Sequence, residues 1–113
     1  ARDRLIYMVK DLRRTIDYLE TRDDIDAGRL GFYGLSWGST YASVYTSIED
    51  RFAASVMLVG GLYRYPPERP PEALPINYTP RSKVPVLMIN SRNWFRFGAA
   101  IHHANHRILR HGL

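Results

Sequence analysis

The chain has 113 residues, of which 45% are hydrophobic and 24% charged, a balance that suits one small globular domain and excludes a disordered or collagen-like chain. It contains no cysteine, which excludes a disulfide framework, a thiolate metal site and thiol catalysis. The formal net charge of +5 is lopsided: residues 1–72 carry ten Arg/Lys against eleven Asp/Glu, whereas residues 73–113 carry six Arg/Lys and no side-chain carboxylate.

In chain order, Leu5, Met8/Val9, Leu12, Ile16 and Leu19 recur at spacings of three and four, which predicts an amphipathic helix over 1–21. The polar turn Arg22 to Gly28 ends it, and 29–34 then reads as a short apolar strand. Residues 39–48, with Tyr41, Val44, Tyr45 and Ile48 at helical spacing, predict a second helix despite many Ser and Thr. The continuous apolar run 52–59 reads as a strand buried on both faces, ended by Gly60-Gly61. Six of the seven prolines fall in 62–83, a long irregular connection. Residues 84–90 form a third strand of buried type, with Pro85 tolerable only near its start. Residues 98–111 give a weak final helix. The alternation predicts an α/β architecture with a parallel sheet covered on both sides.

Within this frame Gly34-Leu-Ser36-Trp-Gly38 matches G-x-S-x-G between a predicted strand and a predicted helix, the context that pattern needs. A sharp strand-to-helix turn would strain Ser36 and require Gly34 and Gly38 to be small where the backbones pass. Ser36 is the candidate nucleophile. The backbone N–H of Trp37, at the start of the helix, is one candidate oxyanion donor. Ser39, Thr40 and Ser43 are expected to cap or face the helix, and Phe32, Tyr33, Tyr41 and Tyr45 to pack in the core.

The stretch Asp26 to Ser39, with Asp50-Arg-Phe-Ala-Ala-Ser-Val behind it, resembles the α/β-hydrolase superfamily in its dienelactone-hydrolase-like and prolyl-oligopeptidase-like branch of serine hydrolases. Val84 to Asn90 resembles a later strand of that fold, and the likeness runs from about residue 5 to residue 92. The resemblance implies a partial α/β-hydrolase domain over 1–92, lacking the N-terminal strands and the last strand, followed by a divergent basic His/Arg-rich tail over 93–113. It implies acyl transfer at Ser36 on a small-molecule ester or peptide-like substrate, with no cofactor.

The rest of the expected machinery is not identifiable. Where the family carries its acid, this chain reads Ser91-Arg92-Asn93, and an amide in that role costs about four orders of magnitude in a serine protease triad. Glu68 or Glu72 is the alternative acid. His102, His103, His106 and His111 read as a solvated helix face and not as the base. His102 and His106 stand four residues apart without a carboxylate or thiolate beside them, so no metal site is expected.

Two other readings remain open: a catalytically inactive hydrolase-derived structural or interaction module, and a small basic binding module in which the turn is coincidental. Because Arg81, Lys83, Arg92, Arg96, Arg107 and Arg110 are scattered, no nucleic-acid partner is expected. No apolar run reaches the roughly 18–20 residues of a membrane span, and no signal peptide opens the sequence, so the reading favours the cytoplasm without membrane association. Missing strands would leave exposed sheet edges through which the chain could self-associate.

Overall fold

The computed structural model describes residues 2–60 and 68–90. Helix α1 (Arg2–Glu20) leads through a polar turn into strand β1 (Leu30–Leu35), helix α2 (Trp37–Ile48), strand β2 (Phe52–Leu58) and strand β3 (Val86–Ile89). All three strands are parallel, in the order β1-β2-β3. The fold is therefore α/β, as the alternation of periodicities predicts.

Each boundary has a local cause. Asp26 starts a 3-10 turn by accepting the Gly28 N–H at 3.0 Å, and its pairing with Arg29 sets the entry to β1. β1 and β2 come into register after one irregularity near Leu30, where Ala53 is the extra residue. Pro85 delays β3 to Val86, yet its carbonyl still accepts the Ser55 N–H at 2.9 Å. Between β2 and β3 the described part of the proline-rich connection forms three 3-10 turns, at 71–73, 75–77 and 79–81, each with proline in its first two positions.

α2 is held by burial more than by propensity, since Ser39 through Thr46 are all buried. Its hydroxyls are largely satisfied inside the protein: Thr46 Oγ1 donates to the Ala42 carbonyl at 2.9 Å, and Ser43 Oγ to the Pro75 carbonyl at 3.2 Å. Leu5 and Ile16 of α1 join Tyr41, Val44 and Tyr45 of α2 and Phe52 of β2 in one core cluster. Phe32 stacks against Tyr45 and Phe52 at centroid distances of 5.4 and 5.6 Å. At the far end of α2 from the Ser36 turn, the elbow of the chain, the buried Glu49 carboxylate takes two hydrogen bonds from the Arg51 guanidinium, at 2.7 and 2.8 Å, while Arg51 also reaches Asp17 and Glu20 on α1. Arg13 completes this corner by donating to the Ile48 carbonyl at 2.6 Å.

The expectation of a sheet covered on both sides is corrected. The helices pack on one face, and on the other Tyr33, Leu35, Leu87 and Ile89 are 62, 56, 57 and 47% exposed. The register sets Tyr33, Val56 and Leu87 in one row and Leu35, Leu58 and Ile89 in the next, an apolar face that no described element covers. Tyr33 is thus a surface residue, whereas Phe32, Tyr41 and Tyr45 belong to the core side as expected. Asn93, the four histidines and the helix expected over 98–111 lie outside the described residues. Among the described residues no helix is long and apolar enough to cross a membrane.

Candidate active site

β1 ends at Leu35 and α2 begins at Trp37, so Ser36 alone makes the turn between them. Its backbone sits at φ 51°, ψ −104°, a region that non-glycine residues rarely occupy and that surrounding structure must hold. Two backbone bonds do so: the Ser36 N–H donates to the Leu58 carbonyl at 2.8 Å, and the Ser36 carbonyl accepts the Thr40 N–H at 3.1 Å. One anchors the turn to β2 and the other starts α2.

A serine in this position commonly spends its hydroxyl on capping the helix. Ser36 makes no such side-chain bond, so its Oγ is not committed to the helix end, where backbone N–H groups have no intrahelical partner. The Trp37 N–H is the first of those groups, at the start of α2.

The tightness expected of the turn is concentrated at Gly34. A Cβ there would lie 2.7 Å from the Gly38 carbonyl carbon and from the Ser39 nitrogen, distances that backbone atoms cannot relieve. Gly38 differs from the expectation: a Cβ on it would meet no described atom within 4 Å, because Gly34 passes over its carbonyl and not over its α-carbon. Gly60 is a second tight position that the sequence reading took only as a strand terminator. A Cβ on it would run into the Ser39 side chain and come within 2.6 Å of the Ser36 carbonyl oxygen.

The Trp37 ring, 51% exposed, meets Tyr41 edge-on at 4.9 Å, with the Arg4 guanidinium 5.4 Å from its centre. Beside this row a cavity of about 480 Å³ opens between α1, α2 and residues 68–70, lined by Arg4, Met8, Tyr41, Glu68 and Arg69. Arg69 closes one wall by donating to the Tyr41 hydroxyl at 2.9 Å. Arg4 and Tyr41 carried no functional signal in the sequence, since only the fold brings α1 against the start of α2.

The alternative acids diverge. Glu68 lines the cavity next to the Trp37 row, while Glu72 lines a groove between α1 and α2 with Ile6, Val9 and Ile48. No described residue makes a hydrogen bond to the Ser36 hydroxyl, and no group of metal-ligating side chains occurs among the described residues.

No protein-family model and no curated protein matches the chain. Among solved structures it is similar to a candidate dienelactone hydrolase from Klebsiella pneumoniae subsp. pneumoniae MGH 78578, with a TM-score of 0.77 and 21% sequence identity. The match covers 92% of this chain but 42% of that one. At that identity the likeness establishes the fold: this chain carries part of an α/β-hydrolase fold, the part that contains the strand, turn and helix around Ser36.

Proposed function

We propose that Ser36 is the nucleophile of a serine hydrolase that cleaves small-molecule carboxylic esters or peptide-like acyl bonds. The observation that carries this reading is the strained Ser36 at the head of α2 with its hydroxyl unused for capping. A base takes the Oγ proton as Oγ adds to the substrate carbonyl. The new C–O bond places negative charge on the carbonyl oxygen, and in this reading the Trp37 N–H donates to it. Collapse expels the alcohol or amine with a proton, leaving an ester on Ser36 that water hydrolyses. No described residue hydrogen-bonds the Ser36 hydroxyl, so the acid and base are left unassigned, Glu68 being the carboxylate that lines the cavity beside Trp37. The fold neighbour, described as a candidate dienelactone hydrolase, supports hydrolysis of a small molecule in general terms.

The test is intact-mass labelling of the 113-residue chain with a fluorophosphonate, beside Ser36→Ala, together with hydrolysis of a short-chain aryl ester. One adduct per chain on the wild type and none on the variant supports the reading. No adduct on a chain shown to be folded refutes it for this polypeptide. That result would favour a second reading, an inactive hydrolase-derived interaction module, to which the exposed face of Tyr33, Leu35, Leu87 and Ile89 points. Self-association through that face and the outer edges of β1 and β3, unpaired among the described residues, belongs to the same reading.

A further inference from the structure

We propose that Asn90 is a positioning residue for Ser36: its side-chain amide latches the chain leaving β2 against the elbow. The inference rests on reading Ser36 as the nucleophile.

Three strand ends meet at this point. The Ser36 N–H bonds to Leu58 and the Val59 N–H donates to the Ile89 carbonyl at 2.8 Å, so the parallel ladder runs up to Val59. There the chain turns abruptly, with Val59 at φ 49°, an outlier for a β-branched residue that something beyond Val59 must maintain. The turn delivers the Gly60 N–H to Asn90 Oδ1 at 3.1 Å, in a partly buried hydrogen bond. Because the backbone group is a donor, the amide oxygen must face it.

Gly60 is gripped from the other side as well. Its α-carbon lies so close to the Ser36 carbonyl and the Ser39 side chain that no Cβ fits. The Ser36 carbonyl in turn accepts both the N–H and the hydroxyl of Thr40, at 3.1 and 3.2 Å, the first bonds of α2. Asn90 therefore acts on Ser36 through a short chain of contacts: amide oxygen, Gly60 backbone, Ser36 carbonyl, first turn of α2. Without the latch, Val59 can relax to negative φ, which draws Gly60 away and frees the Ser36 peptide to rotate. Ser39 Oγ is buried there without a hydrogen-bond partner, so packing alone holds the Ser39 side of Gly60.

The test uses the 113-residue chain as wild type, Asn90→Leu and Asn90→Asp, the last keeping an oxygen acceptor. Native-state amide exchange by NMR is read alongside fluorophosphonate acylation at a temperature where all three chains are folded. In Asn90→Leu the Gly60 and Ser36 amides are expected to exchange about tenfold faster, the factor that loss of one hydrogen bond carries, while amides in the middle of β1 do not change. The acylation rate constant should fall by a similar factor with the reagent's binding constant unchanged, and Asn90→Asp should restore both. Wild-type exchange at Gly60 and Ser36 in Asn90→Leu overturns the proposal. So does a uniform rise across all amides, which marks general destabilisation. If wild type itself takes no label, the nucleophile reading falls, and exchange alone decides whether Asn90 holds the elbow.

Discussion

Removing the Ser36 side chain tests whether the turn is strained. At an ordinary helix N-cap, serine replaced by alanine costs about 1 kcal/mol and by glycine a few tenths, because the capping bond is lost. Ser36 makes no capping bond, so Ser36→Ala should leave stability within about 0.5 kcal/mol of wild type. Ser36→Gly should be more stable than wild type. Relief of backbone strain at φ 51° is worth about 1–3 kcal/mol, and glycine's extra freedom in the unfolded chain takes back about 0.4–1 kcal/mol. The net gain of up to about 2.5 kcal/mol corresponds to about 4 °C in Tm per kcal/mol. Urea and thermal melts of the three chains measure it, and neither variant should accept a fluorophosphonate. The order wild type, then glycine, then alanine, at the usual capping intervals, would show an unstrained serine acting as a cap and would refute the elbow.

The neighbouring glycines should separate cleanly. Gly34→Ala drives a methyl group into the Gly38–Ser39 backbone and should cost about 1–3 kcal/mol or more together with loss of labelling, whereas Gly38→Ala meets no described atom and should be neutral or stabilising in a melt. Glu49 is held below the ordinary carboxylate value of 4.5, chiefly by the Arg51 hydrogen bonds, so its stabilisation is complete above that value and is lost as pH falls through the depressed one. Arg51→Met should lower stability at pH 7 and flatten the acid limb of stability against pH, as followed by melts between pH 3 and 7. The Tyr45 hydroxyl is pushed up to about 12 by burial, with Tyr41 adding to it, so stability should fall from pH 10 upward as the unfolded chain ionises first, and Tyr45→Phe should remove that fall. Leu87→Thr with Ile89→Thr should reduce any association seen by analytical ultracentrifugation without lowering Tm by more than a few degrees, since both side chains are already exposed.

Much of this arrangement is legible in the residues because periodicity and turn chemistry are local. The three- and four-residue spacing from Leu5 to Leu19 places α1, and Gly34 and Ser36 mark the turn before the fold is known. α2 begins two residues earlier than its apolar spacing indicates, because a turn confined to Ser36 leaves Trp37 already helical. The open face of the sheet is not legible: continuous apolar strands signal burial on both sides, and 52–59 has that composition whether or not a second layer is present. Gly60 and Asn90 escape for another reason. Gly60-Gly61 reads as an ordinary strand end, and nothing in Val59 announces a positive φ that turns Gly60 toward a side chain thirty residues away.

α1 is held differently at its two ends. Near Glu20 it is tied by hydrogen bonds from Arg51 to Asp17 and Glu20, and by Arg13 to the Ile48 carbonyl, all directional contacts that tolerate little displacement. At the other end Leu5 is packed in the core and Arg4 lies over Trp37, contacts that survive a few tenths of an ångström of sliding. The foot of α1 is thus fixed by directed bonds and its head by packing. Its first turn forms one wall of the cavity beside the Ser36 turn, so a shift of α1 at that end changes the width of the cavity and leaves the turn itself intact.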